Sequence, residues 1–120
     1  MKKILMVFVI LGIAQVLTGT LALAADPPKE YKKCKMCHKT DDDQWTATVG
    51  PGLKGIGKRA SREYLEESLK DPRRLFDAGG PEIEAMKKWP KFKPALLMPG
   101  VIKNLTDEER KTLVEYLLTL

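Results

Sequence analysis

Both cysteines of this 120-residue chain and its single histidine lie within one short segment, YKKCKMCHKT, at residues 31–40. Cys34, Cys37 and His38 follow the spacing C-x-x-C-H. Residues of these types at this spacing can form a disulfide or redox-active dithiol, bind a metal ion, or attach a haem covalently. The remaining sequence has to distinguish between these three chemistries.

Ligand number and geometry favour covalent haem. A structural zinc site needs four ligands, whereas no further cysteine or histidine lies outside this segment. Redox-active C-x-x-C motifs normally begin a helix in a βαβ unit, and no alternating strand pattern is visible. On a predicted helix over residues 29–39, Cys34, Cys37 and His38 lie within about 100° of one another. We therefore predict one covalently bound haem c, with a disulfide or redox-active C-x-x-C as the alternative.

An axial ligand opposite His38 has to come from a residue other than histidine, because the chain has no second one. Two of the five methionines lie in the N-terminal segment, and the other three are Met36, Met86 and Met98. Met36 points away from His38 on the predicted helix. Met98 lies in the apolar stretch ALLMPGV, where Pro99 restricts the backbone. We predict Met98 as the second iron ligand; the alternatives are Met86, a lysine, or an open site with Met98 only filling the core.

The N-terminus has the pattern of a secretory signal peptide. Lys2 and Lys3 precede an apolar run over residues 4–17, and Ala22 and Ala24 provide small residues before a cleavage site. The run is shorter than the roughly 20 residues that span a bilayer, so an uncleaved anchor is the less favoured alternative. We predict a signal peptide over residues 1–24, one domain over residues 25–120, and a periplasmic protein.

Hydrophobic spacing predicts an all-α domain. Residues 50–59 contain four glycines and residues 72–104 contain five prolines, so both regions are predicted to be largely irregular. Thr106 and Glu109 form a capping-box pattern at the start of the last helix. The predicted helices cover residues 29–39, 62–70, 81–88 and 107–119.

The formal net charge of +5 is moderate, and no arginine-rich tract indicates nucleic-acid binding. Lysines instead concentrate in two places, near the cysteines and before Met98. If these lysines surround the cofactor, they would attract acidic partners. If they do not, they are ordinary solvated charge. The acidic run at residues 41–43 offsets part of the positive charge of the lysines near the cysteines. The two groups are Lys32, Lys33, Lys35 and Lys39, and Lys87, Lys88, Lys91 and Lys93.

Four motifs in this order resemble those of a small class I cytochrome c, and they span nearly all of the predicted domain. They are CKMCH at 34–38, GPGLKGIGKR at 50–59, MPG at 98–100 and LTDEERKTLVEYLLTL at 105–120. The resemblance implies a cytochrome c fold, in which the N- and C-terminal helices cross over the covalently bound haem.

The resemblance also implies individual roles. Cys34 and Cys37 would be the thioether anchors, and His38 and Met98 the axial iron ligands. The backbone carbonyl of Pro51 would accept a hydrogen bond from the His38 ring, which fixes the orientation of the imidazole.

Three further residues match less specific features of the family. Arg59 and Trp89 resemble the residues that hydrogen-bond the haem propionates, and Tyr116 resembles the aromatic of the last helix that packs on the first. The chain departs from the family where an aromatic often lies four residues before the first cysteine. It has Glu30 there, and Tyr31 comes one position later.

The resemblance implies a monomeric one-electron carrier that serves redox protein partners and is not an enzyme. Contact with the membrane would be transient, or through an uncleaved signal anchor. Two alternatives stay open at this point: a haem subunit docked on a larger redox enzyme, and a haem protein that binds or senses small ligands if Met98 does not bind iron.

Overall fold

The computed structural model describes residues 25–46, 49–93 and 98–120, and the predicted signal peptide lies outside these ranges. The described residues form helices and loops without a β-strand, which confirms the predicted all-α class. In chain order they form a 3-10 helix over Lys29–Met36, then α1 (Ile56–Arg59), α2 (Arg62–Lys70), α3 (Pro72–Ala78), α4 (Pro81–Met86), α5 (Met98–Ile102) and α6 (Asp107–Leu117). No helix among them is long and apolar enough to cross a bilayer.

The helices with clear start signals lie where the sequence predicts them. α2 begins after Ser61, whose hydroxyl accepts the N–H of Tyr64 at 3.1 Å. α6 begins with the predicted capping box, in which the Thr106 side chain accepts the Glu109 N–H and the Glu109 carboxylate accepts the Thr106 N–H. α4 and α6 are each two residues shorter than predicted. Their start signals, Pro81 as the first residue of α4 and the capping box of α6, specify the first turn of a helix but not its last.

Residues 50–55 are irregular as predicted, and the short helix α1 occupies only the end of the glycine-rich stretch. The prediction of mostly loop over residues 72–104 was wrong, because α3 and α5 lie there in addition to the predicted helix α4. Pro72 lies two residues after the end of α2 and is the first residue of α3. A proline is tolerated there because the first N–H groups of a helix have no intrahelical partner. The Asp71 side chain completes this start by accepting the Arg74 N–H at 3.0 Å.

The N-terminal helix is a 3-10 helix that ends at Met36 rather than an α-helix to residue 39. With three residues per turn, side chains three apart lie on the same side. Tyr31 and Cys34 therefore share one face, and Cys37 follows in the same direction. This arrangement turns the aromatic ring and the first thiol towards the interior of the domain.

The 3-10 helix packs against α6, which also packs against α2. The rings of Tyr31 and Tyr116 meet edge to face, with centroids 4.9 Å apart. Leu113 and Val114 beside them are 1% exposed. α1 approaches the end of α6 so closely that a Cβ on Gly57 would lie 2.3 Å from the carbonyl oxygen of Leu118. The two ends of the domain are thus held together around one apolar core.

Candidate functional site

A cavity of about 420 Å³ adjoins this core, within the size range of cofactor sites. Its walls are predominantly apolar, and core residues such as Leu65, Leu69 and Leu113 contribute to them. The fold brings together at this cavity all of the residues that the sequence predicts for the site, which are Cys34, Cys37, His38, Pro51, Arg59, Trp89 and Met98.

The two cysteines lie on a tight turn at the end of the 3-10 helix. The N–H groups of Cys37 and His38 both donate to the carbonyl oxygen of Cys34, at 3.0 and 2.9 Å. Burial, with a smaller contribution from nearby Cys37, raises the pKa of the Cys34 thiol. A redox-active C-x-x-C pair usually lowers the pKa of its nucleophilic thiol, so this environment does not favour thiol–disulfide exchange.

His38 is oriented by a backbone carbonyl. Its Nδ1 lies 2.7 Å from the carbonyl oxygen of Pro51. Because a carbonyl can only accept, Nδ1 carries the proton and Nε2 keeps its lone pair. Burial lowers the pKa of His38, and the bond to Pro51 opposes that shift. The imidazole is therefore neutral at pH 7, which is the form that binds a metal.

The loop that carries Pro51 is joined closely to the cysteine turn. Gly50 donates its N–H to the carbonyl oxygen of Cys37 at 3.0 Å, and Leu53 donates to Lys39 at 2.7 Å. A Cβ on Gly50 would lie 2.9 Å both from that Cys37 oxygen and from Cε1 of the His38 ring. The sequence interpretation gave Gly50 no role of its own, although its position directly before Pro51 was the available signal.

Arg59 and Trp89 form another part of the wall. The Arg59 guanidinium donates to the carbonyl oxygen of Gly52 at 2.7 Å and lies over the Trp89 ring, 5.6 Å from its centroid. Burial lowers the pKa of Arg59, while Asp43 opposes the shift; arginine stays charged in proteins. The cavity thus has a fixed positive charge at one side, positioned by a carbonyl and an aromatic face.

Met98 is the first residue of α5, where it is partly buried and packs against the core. Met86 lines the same cavity, so proximity to the cavity does not distinguish the two methionines. Met36 is 79% exposed and does not line it. Val101, the last residue of the apolar stretch ALLMPGV, is 39% exposed and lies at the cavity wall.

Sequence reasoning missed Trp45, which is 6% exposed and lines the cavity. Its ring meets that of Phe92 edge to face, with centroids 5.8 Å apart. The signal was an isolated tryptophan in the polar stretch DDDQWTAT. A large apolar side chain in such a stretch has to be buried against another part of the fold.

These residues fit a covalently held porphyrin better than the other candidate groups. Two thiols, a neutral imidazole and a thioether surround an apolar cavity whose wall also carries a guanidinium. Within the described residues, no group of three or more histidine, cysteine, aspartate or glutamate side chains could hold a metal ion directly. A site with many protein ligands, such as a structural zinc site, therefore does not fit the described part of the chain.

Comparisons with known proteins agree with this chemistry. The family model described as Cytochrome c matches residues 26–120. The chain is also similar to cytochrome c-553 of Nitratidesulfovibrio vulgaris (strain Miyazaki F), with 29% identity over 121 residues that cover 100% of both chains. No solved structure shows a significant match.

We expect Gly50→Ala to displace the His38 ring, because the added Cβ meets both the ring and the Cys37 carbonyl. Overpacking of this kind costs roughly 1–3 kcal/mol. Denaturant unfolding of the haem-bound protein should show that loss, and NMR should show faster solvent exchange of the proton on Nδ1.

Val49→Ala is the matched control, since it shortens a neighbouring side chain that is 52% exposed and leaves the glycine unchanged. Its effect on stability should stay within about 0.5 kcal/mol. Equal effects of the two substitutions would contradict a specific role for Gly50.

Proposed function

Because the chain belongs to the cytochrome c family, we propose that it is a periplasmic monohaem carrier that passes single electrons between redox proteins. Family membership makes covalently bound haem c its cofactor and electron transfer its activity. The observation that best supports the proposed site is that Cys34, Cys37, His38 and Met98 line the same cavity.

In this proposal the sulfurs of Cys34 and Cys37 would hold the haem through thioether bonds, and His38 and Met98 would bind its iron. The haem supplies an iron that changes its charge by one electron. A methionine ligand raises the reduction potential relative to more strongly donating ligands. The bond from His38 to Pro51 opposes this effect by making the imidazole a better donor.

The remaining wall residues exclude water and complement charge. Apolar side chains such as Leu65 and Leu113 lower the local dielectric constant around the cofactor. Arg59, held between the Gly52 carbonyl and the Trp89 ring, is positioned to offset an anionic group of the cofactor. We assign the haem propionates to this side of the cavity.

We propose no catalytic activity for the protein itself. If His38 and Met98 fill both axial positions, a substrate has no coordination site on the iron. The rigid positioning of His38 by Pro51 suits a site that changes little between its two redox states. Electron transfer then needs only that the partner protein comes close to the haem. We also propose that the carrier is a monomer.

The position of Ala25 is compatible with the proposed signal peptide over residues 1–24. The backbone N–H of Ala25 donates to Oγ1 of Thr119 at 3.2 Å, and that hydroxyl donates to the carbonyl oxygen of Tyr116 at 2.7 Å. The first residue after the proposed cleavage site therefore contacts the end of α6. A mature chain that begins at Ala25 keeps this contact between the two ends of the domain.

Exposed lysines support docking of acidic partners near the cavity. All eight lysines of the two sequence clusters are exposed, and Lys33 and Lys93 line the cavity itself. Lys87 contributes less, because it forms an ion pair with Glu84 at 2.6 Å. Positive charge beside the cofactor increases the rate at which an acidic protein reaches a productive orientation.

We expect mass spectrometry of the denatured periplasmic protein to give a chain that begins at Ala25 and carries one haem. Thioether bonds survive denaturation, so the pigment should stay with the polypeptide in acidified acetone. A chain that keeps residues 1–24 would contradict cleavage, and complete extraction of the pigment would contradict covalent attachment.

Replacement of Met98 by alanine should remove the weak red absorption band that a methionine–iron bond gives in the ferric protein. The reduced variant should bind carbon monoxide readily, because one axial position becomes accessible. Met86→Ala is the control, since Met86 also lines the cavity. If Met86→Ala removes the band and Met98→Ala preserves it, the ligand assignment is wrong.

A double substitution, Lys33→Glu with Lys93→Glu, should slow reduction by an acidic redox protein by about tenfold at low ionic strength. The difference should shrink as salt is added, because exposed charges are screened. The control is Lys70→Glu with Lys111→Glu, which changes the net charge equally at exposed positions outside the cavity lining. Equal slowing of both variants would show that net charge, rather than local docking, controls the rate.

A further inference from the structure

Two contacts join the loop at residues 41–46 to the segment at residues 89–93. The rings of Trp45 and Phe92 meet edge to face, with centroids 5.8 Å apart and an interplanar angle of 86°. The N–H of Lys91 also donates to the carbonyl oxygen of Trp45 at 2.9 Å. We call this pair of contacts the aromatic clasp. Its Trp45 ring is 6% exposed and lines the cavity.

We propose that the aromatic clasp fixes the N-terminal end of the segment that carries Met98, which makes Phe92 a positioning residue for the axial sulfur. The inference rests on the proposed function, in which Met98 binds the iron. The inference gives Trp45 and Phe92, which do not bind the iron, a role in holding the ligand in place.

Hydrogen bonds within the loop organise its side of the clasp. The Asp42 carboxylate accepts the N–H of Gln44 at 2.9 Å and the N–H of Thr46 at 3.1 Å. These bonds lie on either side of Trp45 and define the backbone that presents its ring. Trp45 is therefore a fixed point against which Phe92 can be held.

The other end of the ligand segment is also fixed. Ile102, the last residue of α5, is 4% exposed and belongs to the core. Its carbonyl oxygen accepts the N–H of Leu105 at 2.9 Å, and the Leu105 carbonyl accepts a bond from Arg110 of α6 at 2.7 Å. Met98 thus lies between Phe92 on one side and Ile102 on the other.

Helix α3 supports both ends of this segment. Phe76 of α3 stacks on Phe92, with ring centroids 6.2 Å apart and an interplanar angle of 10°. The same helix packs against α5, where Met98 lies. The clasp and the core end of the segment therefore share one rigid element.

Fixing both ends matters because a thioether is a weak iron ligand. The six residue-to-residue steps from Phe92 to Met98 span at most about 20 Å when the chain is extended. A short chain with two fixed ends keeps its ligand at a high effective concentration near the iron. Release of one end lowers that concentration and favours the state in which the sulfur is dissociated.

The test compares Phe92→Ala with the unmodified haem protein. We expect the methionine–iron band to weaken and carbon monoxide to bind the reduced protein about tenfold faster, since losing one aromatic contact changes an equilibrium by roughly that factor. Phe92→Leu keeps most of the volume and should give an intermediate rate. It also provides a measurement if the alanine variant does not fold.

Val114→Ala is the control for general destabilisation. Val114 is 1% exposed on α6 and does not line the cavity. This variant should lose thermal stability while its band and carbon monoxide rate stay unchanged. A similar increase in that rate for Val114→Ala would overturn the inference, as would unchanged behaviour of both Phe92 variants.

The same data distinguish failure of this inference from failure of the proposed function. If the unmodified protein lacks the band and binds carbon monoxide readily, Met98 is not a ligand, and both proposals fail. If the unmodified protein has the band and Phe92→Ala keeps it unchanged, only the role of Phe92 is wrong.

Discussion

The candidate site depends on the pairing between the cysteine turn and the loop that follows it. Three hydrogen bonds make this pairing: Gly50 to Cys37, Leu53 to Lys39, and the His38 ring to Pro51. The third bond fixes the imidazole, because the partner of its Nδ1 is a backbone carbonyl. The loop also offers the Gly52 carbonyl to Arg59. One stretch of backbone therefore orients both the proposed iron ligand His38 and a charged group of the wall.

Fold and cofactor site share residues in this small domain. Leu65, Leu69, Ile102 and Leu113 belong to the apolar core and also line the cavity. A domain of this size buries a limited fraction of its surface, so a large apolar cofactor contributes substantially to its interior. The proposed covalent link through Cys34 and Cys37 would keep that contribution in place. Substitutions in the shared residues should consequently alter stability and cofactor environment together.

Sequence reasoning succeeded where the determining contacts are local. C-x-x-C-H identifies the cofactor chemistry within five residues, and Thr106 with Glu109 identifies the start of α6. It failed where the outcome depends on distant partners. The Trp45–Phe92 contact joins residues far apart in the sequence, and neither residue carries a motif. Pro72 was ambiguous for a different reason, since proline is compatible both with the end of one helix and with the first turn of the next.

The distribution of ion pairs gives the lysines near the cavity more influence than the net charge suggests. Arginines on the two long helices have acidic partners nearby, as in Arg62–Glu115 at 2.6 Å and Arg110–Asp107 at 2.5 Å. Opposite charges this close largely cancel beyond one Debye length. Lys33 and Lys93 are exposed at the cavity. The field that an approaching partner meets there is consequently shaped by residues that surround the cofactor, which supports docking close enough for electron transfer.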